Sequence, residues 1–351
     1  MPNEKILEQY NAVKNNVGLF DFSIEGKITV KGAGRVDFIN GLASNDIKNL
    51  KENNGVYAAF LNKIGKILSD CIVYKFKDFL FINLSIIGKN NIIKKLKEEA
   101  ALGKSEVEDA TLKYGLFSLQ GPKALELVST IIEGPLELKQ QYECSIKKIT
   151  INNNSKNNNK TNNPNEKSNN ESYNNEVEVI ITKNKRTNFE GYDIFVPAQY
   201  YNLFKELILE KGKKYNLRII SNDAYNILRL EAKIPLFGID FDEKNILPEI
   251  TEKAVSYDKG CYVGQEIVAR VKNLAKGITA KKLCFLEIES NIIPEKNTKI
   301  MKEGKETGFI TSAAFSLELN KVIGFGFLNK GFYEENMEIF VDDKKAIVRQ
   351  I

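Results

Sequence analysis

The chain has 351 residues, 42% apolar and 28% charged, with 51 basic and 46 acidic side chains for a net charge of +5. That length allows two or three domains with proper cores, and the charge balance is too even to indicate nucleic acid, although it would suit an acidic ligand. Histidine is absent, which removes Ser-His-Asp triads, Cys-His pairs, H-E-x-x-H zinc sites and histidine bases in one step.

Acid–base work must therefore fall to carboxylates, tyrosines, lysines or a thiol. The opening residues, Met1-Pro2-Asn3-Glu4-Lys5, predict no signal peptide. No apolar run approaches the roughly 18 residues that a membrane helix needs, so no membrane role is expected. Cys71, Cys144, Cys261 and Cys284 are scattered with no C-x-x-C pair. They predict no zinc or iron–sulfur site of the chain's own and suit a reducing cytoplasm.

In chain order, Gly26 to Lys31 alternates like a half-buried strand, and Gly32 to Ala43 reads as a helix with Val36, Ile39 and Leu42 on one side. Val56 to Leu61 and Lys66 to Tyr74 are β-like and joined by the hairpin-like Asn62-Lys63-Ile64-Gly65. Phe79 to Leu84 is a third strand, and Asn90 to Ala101 a helix with Ile92, Ile93 and Leu96 aligned. Lys113 to Leu119 reads as a strand, and Gly121-Pro122 opens a helix through Ile132. Residues 152–175 break the pattern: thirteen of these 24 are Asn and none is Val, Ile, Leu, Phe or Ala. Such a segment cannot offset its ordering entropy and is predicted to be disordered, an expanded hairpin loop between strands at Cys144–Ile151 and Val177–Lys183.

Glu190 to Val196 continues as a strand and Gln199 to Leu209 as a helix, and Ser221 is an N-cap for a helix from Asp223 to Ala232. Beyond about residue 275 come six short β-like runs with Gly-rich corners, which predict a small closed barrel. Strands and helices mix without strict alternation, so the fold class is α+β with largely antiparallel sheets. The expected organisation is a composite body over residues 1–270 and a barrel over 271–351.

Polar chemistry sits in apolar contexts at three places. Ser69-Asp70 lies inside the run Lys66 to Tyr74, where a lone acid is as well explained by a solvent-facing position. Arg229 and Glu231 are two apart on one helix and cannot pair there, although an Arg fork suits a ligand carboxylate. Lys259-Gly260-Cys261-Tyr262-Val263-Gly264-Gln265-Glu266 places a thiol between glycines, with Lys253 and Lys259 near enough to give it a basic setting. The alternative for Cys261 is a small buried hydrophobe.

That eight-residue stretch resembles, at every fixed position, the K-G-C-Y-x-G-Q-E signature of the folate-binding YgfZ-type proteins, relatives of the glycine-cleavage T-protein. Ile28 to Gly32, Phe38 to Asp46 and the Arg229-x-Glu231 to Gly238 block resemble stretches shared with the aminomethyltransferases. The resemblance implies two ferredoxin-like portions and a barrel around a tetrahydrofolate cavity. It also implies a role in the assembly or repair of iron–sulfur enzymes, tRNA-modifying methylthiolases among them. Cys261 and Asp70 would then be the catalytic residues, and Arg229, Glu231, Tyr192, Lys259, Tyr262 and Gln265 the folate contacts. Partners would be iron–sulfur enzymes or cluster-assembly proteins.

Two departures separate this chain from true aminomethyltransferases. These carry paired aspartates where Ser69-Asp70 stands, and an acid where Phe189 stands. The alternative function is nonetheless that of an aminomethyltransferase, moving a one-carbon unit from a lipoyl carrier to tetrahydrofolate.

Overall fold

A computed structural model of the chain describes residues 2–101, 103–153 and 173–351. Helix α1 (Glu4–Asn15) starts at Asn3, whose side chain accepts the Ile6 N–H, and β1 (Gly18–Asp21) and β2 (Gly26–Lys31) follow. Next come α2 (Arg35–Leu42), the hairpin of β3 (Asn54–Leu61) and β4 (Ile67–Lys75), and β5 (Phe79–Leu84). Helix α3 (Ile86–Ala100) and β6 (Glu106–Asp109) lead to β7 (Tyr114–Gln120) and α4 (Ala124–Ser129). The chain continues through β8 (Cys144–Asn153), β9 (Tyr173–Lys183), β10 (Gly191–Pro197), α5 (Tyr201–Gly212) and β11 (Arg218–Ile219). Helices α6 (Asn222–Glu231) and α7 (Gln265–Asn273) come before the last strands. These are β12 (Lys281–Ile288), β13 (Lys299–Lys302), β14 (Lys305–Ser316), β15 (Lys321–Asn329), β16 (Glu338–Val341) and β17 (Lys344–Arg349).

The strands build a five-stranded sheet, β3-β4-β5-β2-β6, a six-stranded sheet, β11-β1-β7-β10-β9-β8, and a closed barrel, β12-β15-β14-β13-β16-β17. The pairs are antiparallel except β1 with β11. The architecture is thus α+β, two ferredoxin-like sheets plus a barrel. Because β1 crosses into the six-stranded sheet beside β7, the two α+β halves are interleaved rather than sequential.

Packing follows from which faces are apolar. Ile28, Val30, Ile92 and Leu96 bury the outer face of the five-stranded sheet under α2 and α3. Leu127, Val128, Phe204 and Ile208 do the same for the other sheet under α4 and α5. The inner faces meet through Tyr74, Phe81 and Phe195, whose rings pack edge to face with centroids 6.3 and 4.9 Å apart. A further cluster, including Tyr10 and Val13 of α1, Leu228 of α6, Val268 of α7 and Phe325 of the barrel, ties the third unit to the other two.

The helix predicted from Gly121 to Ile132 is shorter, because both of its ends are used otherwise. Gly121 has φ +134° and lies so close to the end of α1 that a Cβ would sit 2.5 Å from the Asn16 carbonyl. Ile132 leaves the helix to bridge Ile149 on β8. The segment after Gly264, read as a packed stretch, is the helix α7. Of the asparagine-rich segment predicted to be disordered, residues 154–172 lie outside the described residues. Its flanks pair as a hairpin, from Cys144 opposite Thr182 to Asn153 opposite Tyr173.

Candidate functional site

The thiol loop is fixed from both sides. Gly264, the N-cap of α7, has φ +82°, and a Cβ there would lie 2.5 Å from the Asn62 carbonyl of the β3–β4 hairpin. Val263 N–H donates to Gly41 O at 3.1 Å, and Gln265 Oε1 accepts the Tyr262 N–H at 3.1 Å. Gln265 therefore caps the turn into α7. Lys259 Nζ donates to the carbonyls of Asn40, Ala43 (2.7 Å) and Asn45 (2.9 Å), at the end of α2, and lies 5.0 Å from the Tyr262 ring centre. An ammonium has three donors, so this one is spent on the backbone rather than on a ligand. Burial pushes Lys259 down to about 8, with Asp46 pulling the other way.

Replacing Lys259 with Met strands three carbonyls and is expected to cost about 1–3 kcal/mol in urea unfolding. An unchanged unfolding midpoint would refute the clamp. Cys261 itself is exposed, and its three counterparts are buried free thiols. Burial pushes Cys144 and Cys284 up to about 12 and Cys71 well above the usual thiol range. Cys261 is thus the accessible one of the four thiols.

A chain of hydrogen bonds runs from this loop to Asp70. The turn that Lys259 grips also fixes β3: Ser44 Oγ accepts Ala59 N–H (2.8 Å) and donates to Ala254 O (2.6 Å), and Asn45 Nδ2 donates to Tyr57 O (2.9 Å). Tyr57 in turn donates its hydroxyl to Asp70 Oδ2 at 2.8 Å. Asp70 is half-buried rather than solvent-facing. Desolvation raises its carboxyl to about 6, against the Tyr57 hydrogen bond, and the like charge of Glu25 adds to the rise. A carboxyl in that range exchanges protons near neutral pH. Its neighbour Ser69 is fully buried, with its hydroxyl donating to the Asp70 carbonyl.

Around Asp70 the inner faces of both sheets and α6 bring together residues that the sequence reading did not single out. Arg186 grips Glu25 with two parallel bonds (2.6 and 3.0 Å) and Asp193 through Nε (2.9 Å), while stacking 4.3 Å over the Phe22 ring. Phe22 packs edge to face on Tyr225 at 5.1 Å. Tyr142 lies within electrostatic reach of Tyr57, Asp70 and Arg186, and burial raises the phenols of Tyr57, Tyr142 and Tyr225. Phe22, Tyr57, Tyr142 and Tyr225 are all only partly buried. Aromatic side chains, one poised carboxyl and a fixed guanidinium are thus set side by side at this junction.

Three expected folate contacts fall elsewhere. Arg229, 1% exposed, gives its N–H groups to Asn226 Oδ1 (3.0 Å), Ile234 O (3.2 Å), Asp240 Oδ2 (2.7 Å) and Ser312 Oγ (3.0 Å). Glu231 accepts from Tyr10 (2.8 Å), Ser316 (2.7 Å) and the Glu318 N–H (3.1 Å), joining α1, α6 and the barrel. Tyr192 points into the core between the six-stranded sheet and its helices. Tyr262 is half-buried and packs on the central cluster beside Lys259.

Comparison with known proteins agrees with this architecture. The GCVT N-terminal domain matches residues 2–156, and the glycine cleavage T-protein C-terminal barrel domain matches residues 281–349. The chain is 31% identical to the aminomethyltransferase of Thermosipho melanesiensis, over 97% of this chain and 85% of the relative. It is 29% identical to that of a Thermoanaerobacter species, over 98% and 88%. Its fold is similar to the glycine cleavage system aminomethyltransferase T from Bartonella henselae, with a TM-score of 0.80 at 19% identity, covering 99% of this chain and 88% of that one. The chain belongs to the glycine-cleavage T-protein, or aminomethyltransferase, family.

Proposed function

We propose that this protein binds a tetrahydrofolate at the junction around Asp70 and transfers a one-carbon unit to it, with Asp70 moving the proton. The observation that carries the reading is the half-buried Asp70 carboxyl, raised to about 6 beside Tyr57 and aromatic faces. Closing the methylene bridge forms two C–N bonds to folate nitrogens and breaks the C–N bond to the departing amine and the C–S bond to the carrier. The two N–H protons released go one to the amine and one to the carrier thiolate. A single carboxyl poised near neutrality can serve both transfers. The relatives' name, aminomethyltransferase, supports the same chemistry. Where the resemblance to aminomethyltransferases implies paired aspartates, this chain departs with Ser69 beside the single Asp70. The test is the formation of methylene-tetrahydrofolate from tetrahydrofolate and an aminomethyl-loaded lipoyl carrier protein. Turnover by the purified protein supports the reading, and its absence argues against it.

A second, narrower reading is a folate-dependent factor of the YgfZ type that supports iron–sulfur enzymes. One observation favours it: the K-G-C-Y-V-G-Q-E loop is rigidly built and presents Cys261 to solvent. On this reading Cys261→Ser folds normally and fails to restore iron–sulfur enzyme activity in a deletion strain. Full rescue by that variant would remove the thiol from the mechanism.

A further inference from the structure

A second cleft lies where the loop after α6 meets the outside of the barrel, with a volume of about 310 Å³. It shares no residue with the Asp70 junction, and the inference drawn from it is independent of the proposed function. One wall is aromatic. Phe309 and Phe327 of the paired strands β14 and β15 lie with ring centres 5.7 Å apart, and Phe309 stays 36% exposed. The loop adds Ile239 to the same lining, itself 43% exposed. Two large apolar side chains left open in one cleft offer apolar surface to a flat ring.

The rim is cationic. Lys244, Lys281 and Lys296 all line the cleft. Lys281 Nζ sits 4.5 Å from the Phe327 ring centre, held above the aromatic wall and in no ion pair among the described residues. Lys296 Nζ is tethered to the Ile239 carbonyl at 3.0 Å, which fixes one ammonium at the cleft's edge. Two carboxylates also line the cleft. Asp240 is neutralised by Arg229 at 2.7 Å and accepts Thr311 Oγ1 at 3.0 Å, and Asp242 accepts the Lys244 backbone N–H at 2.8 Å. Three ammonium groups against one free carboxylate leave the rim positive. The volume is at the small end for ligand pockets, roughly 300–1,000 Å³, so it suits a compact molecule.

We infer that this cleft binds a small planar aromatic anion of nucleoside-monophosphate type, with its ring against Phe309 and Ile239 and its anionic group among the three lysines. The probe is adenosine 5′-monophosphate, titrated calorimetrically into the full-length protein, with adenosine and inorganic phosphate as separate arms. Saturable binding is expected for the monophosphate, with each half-ligand about tenfold or more weaker because ring and charge contribute together. Phe309→Ser and Lys281→Gln should each weaken it about fivefold or more, while tetrahydrofolate binding stays at the wild-type level. Equal binding of inorganic phosphate and the monophosphate would overturn the aromatic half of the site. No saturable binding of the monophosphate, or its displacement by tetrahydrofolate, would overturn the separate site.

Discussion

Arg229→Ala is expected to destabilise the protein by about 3–5 kcal/mol, the cost of leaving one member of a buried ion pair alone. Arg229 is 1% exposed and the Asp240 side chain 0%. Truncation leaves Asp240 with the Leu236 N–H and the hydroxyls of Thr311 and Ser312, but no counter-charge. It also removes the donor to Asn226 Oδ1, the Ile234 carbonyl and Ser312 Oγ, so that α6, the following loop and strand β14 of the barrel lose their common anchor. Native domains hold only about 5–15 kcal/mol in total, so the variant should unfold at markedly lower urea. A paired replacement, Arg229→Met with Asp240→Leu, should recover much of the loss, because exchanging both charges for apolar groups is often neutral. A loss under about 1 kcal/mol, the typical value of an exposed pair, would contradict the account. Any fall in folate affinity in Arg229→Ala is then indirect, since the guanidinium is engaged within the protein.

Asp70→Asn is expected to lower turnover of the folate reaction by about 10²–10⁴-fold, the usual contribution of a positioned acid–base group. The same change should make the protein more stable at pH 7, and the sign follows from linkage. In the unfolded chain Asp70 titrates near its ordinary 3.8, and in the folded protein near 6. Between these values the folded state holds the extra proton, so stability falls as pH rises through that window and stays reduced above it. Asparagine carries no such penalty. A gain in thermal midpoint at pH 7 that vanishes near pH 4, joined to lost turnover, is the pattern of a group kept for function at the expense of stability. Lost turnover with lost stability at neutral pH would instead make Asp70 structural.

Much of the frame was legible in the chain. β2 and β5 span the residues predicted for them, although β2 is buried on both faces rather than half-buried, and the six barrel strands were announced by Gly-rich corners between short apolar runs. Helix α1 was missed because Glu8, Gln9 and Asn11 fall among Ile6, Tyr10 and Val13, whose helical spacing gains meaning only once α6 is there to pack against. β11 has two residues, too few to alternate, and exists by pairing with β1. The site divides in the same way. Cys261 and Asp70 stood out because each breaks an otherwise apolar or glycine-rich setting.

The aromatic walls did not stand out. Tyr57, Tyr142 and Tyr225 come from three separate segments and share no motif. Arg186 sits in the turn Lys183-Asn184-Lys185-Arg186, which reads as a solvated charge run until folding sets Glu25 and Asp193 against it. Arg229 misled for the opposite reason: its partner Asp240 lies eleven residues away and meets it only through the bend at Gly238.

Calorimetric titration of tetrahydrofolate near pH 6, repeated in buffers of different ionisation enthalpy, tests the central claim most directly. Saturable binding with a net proton exchange that disappears in Asp70→Asn is the predicted result. Absence of binding, or a proton exchange identical in the variant, would contradict the placement of the folate site at Asp70.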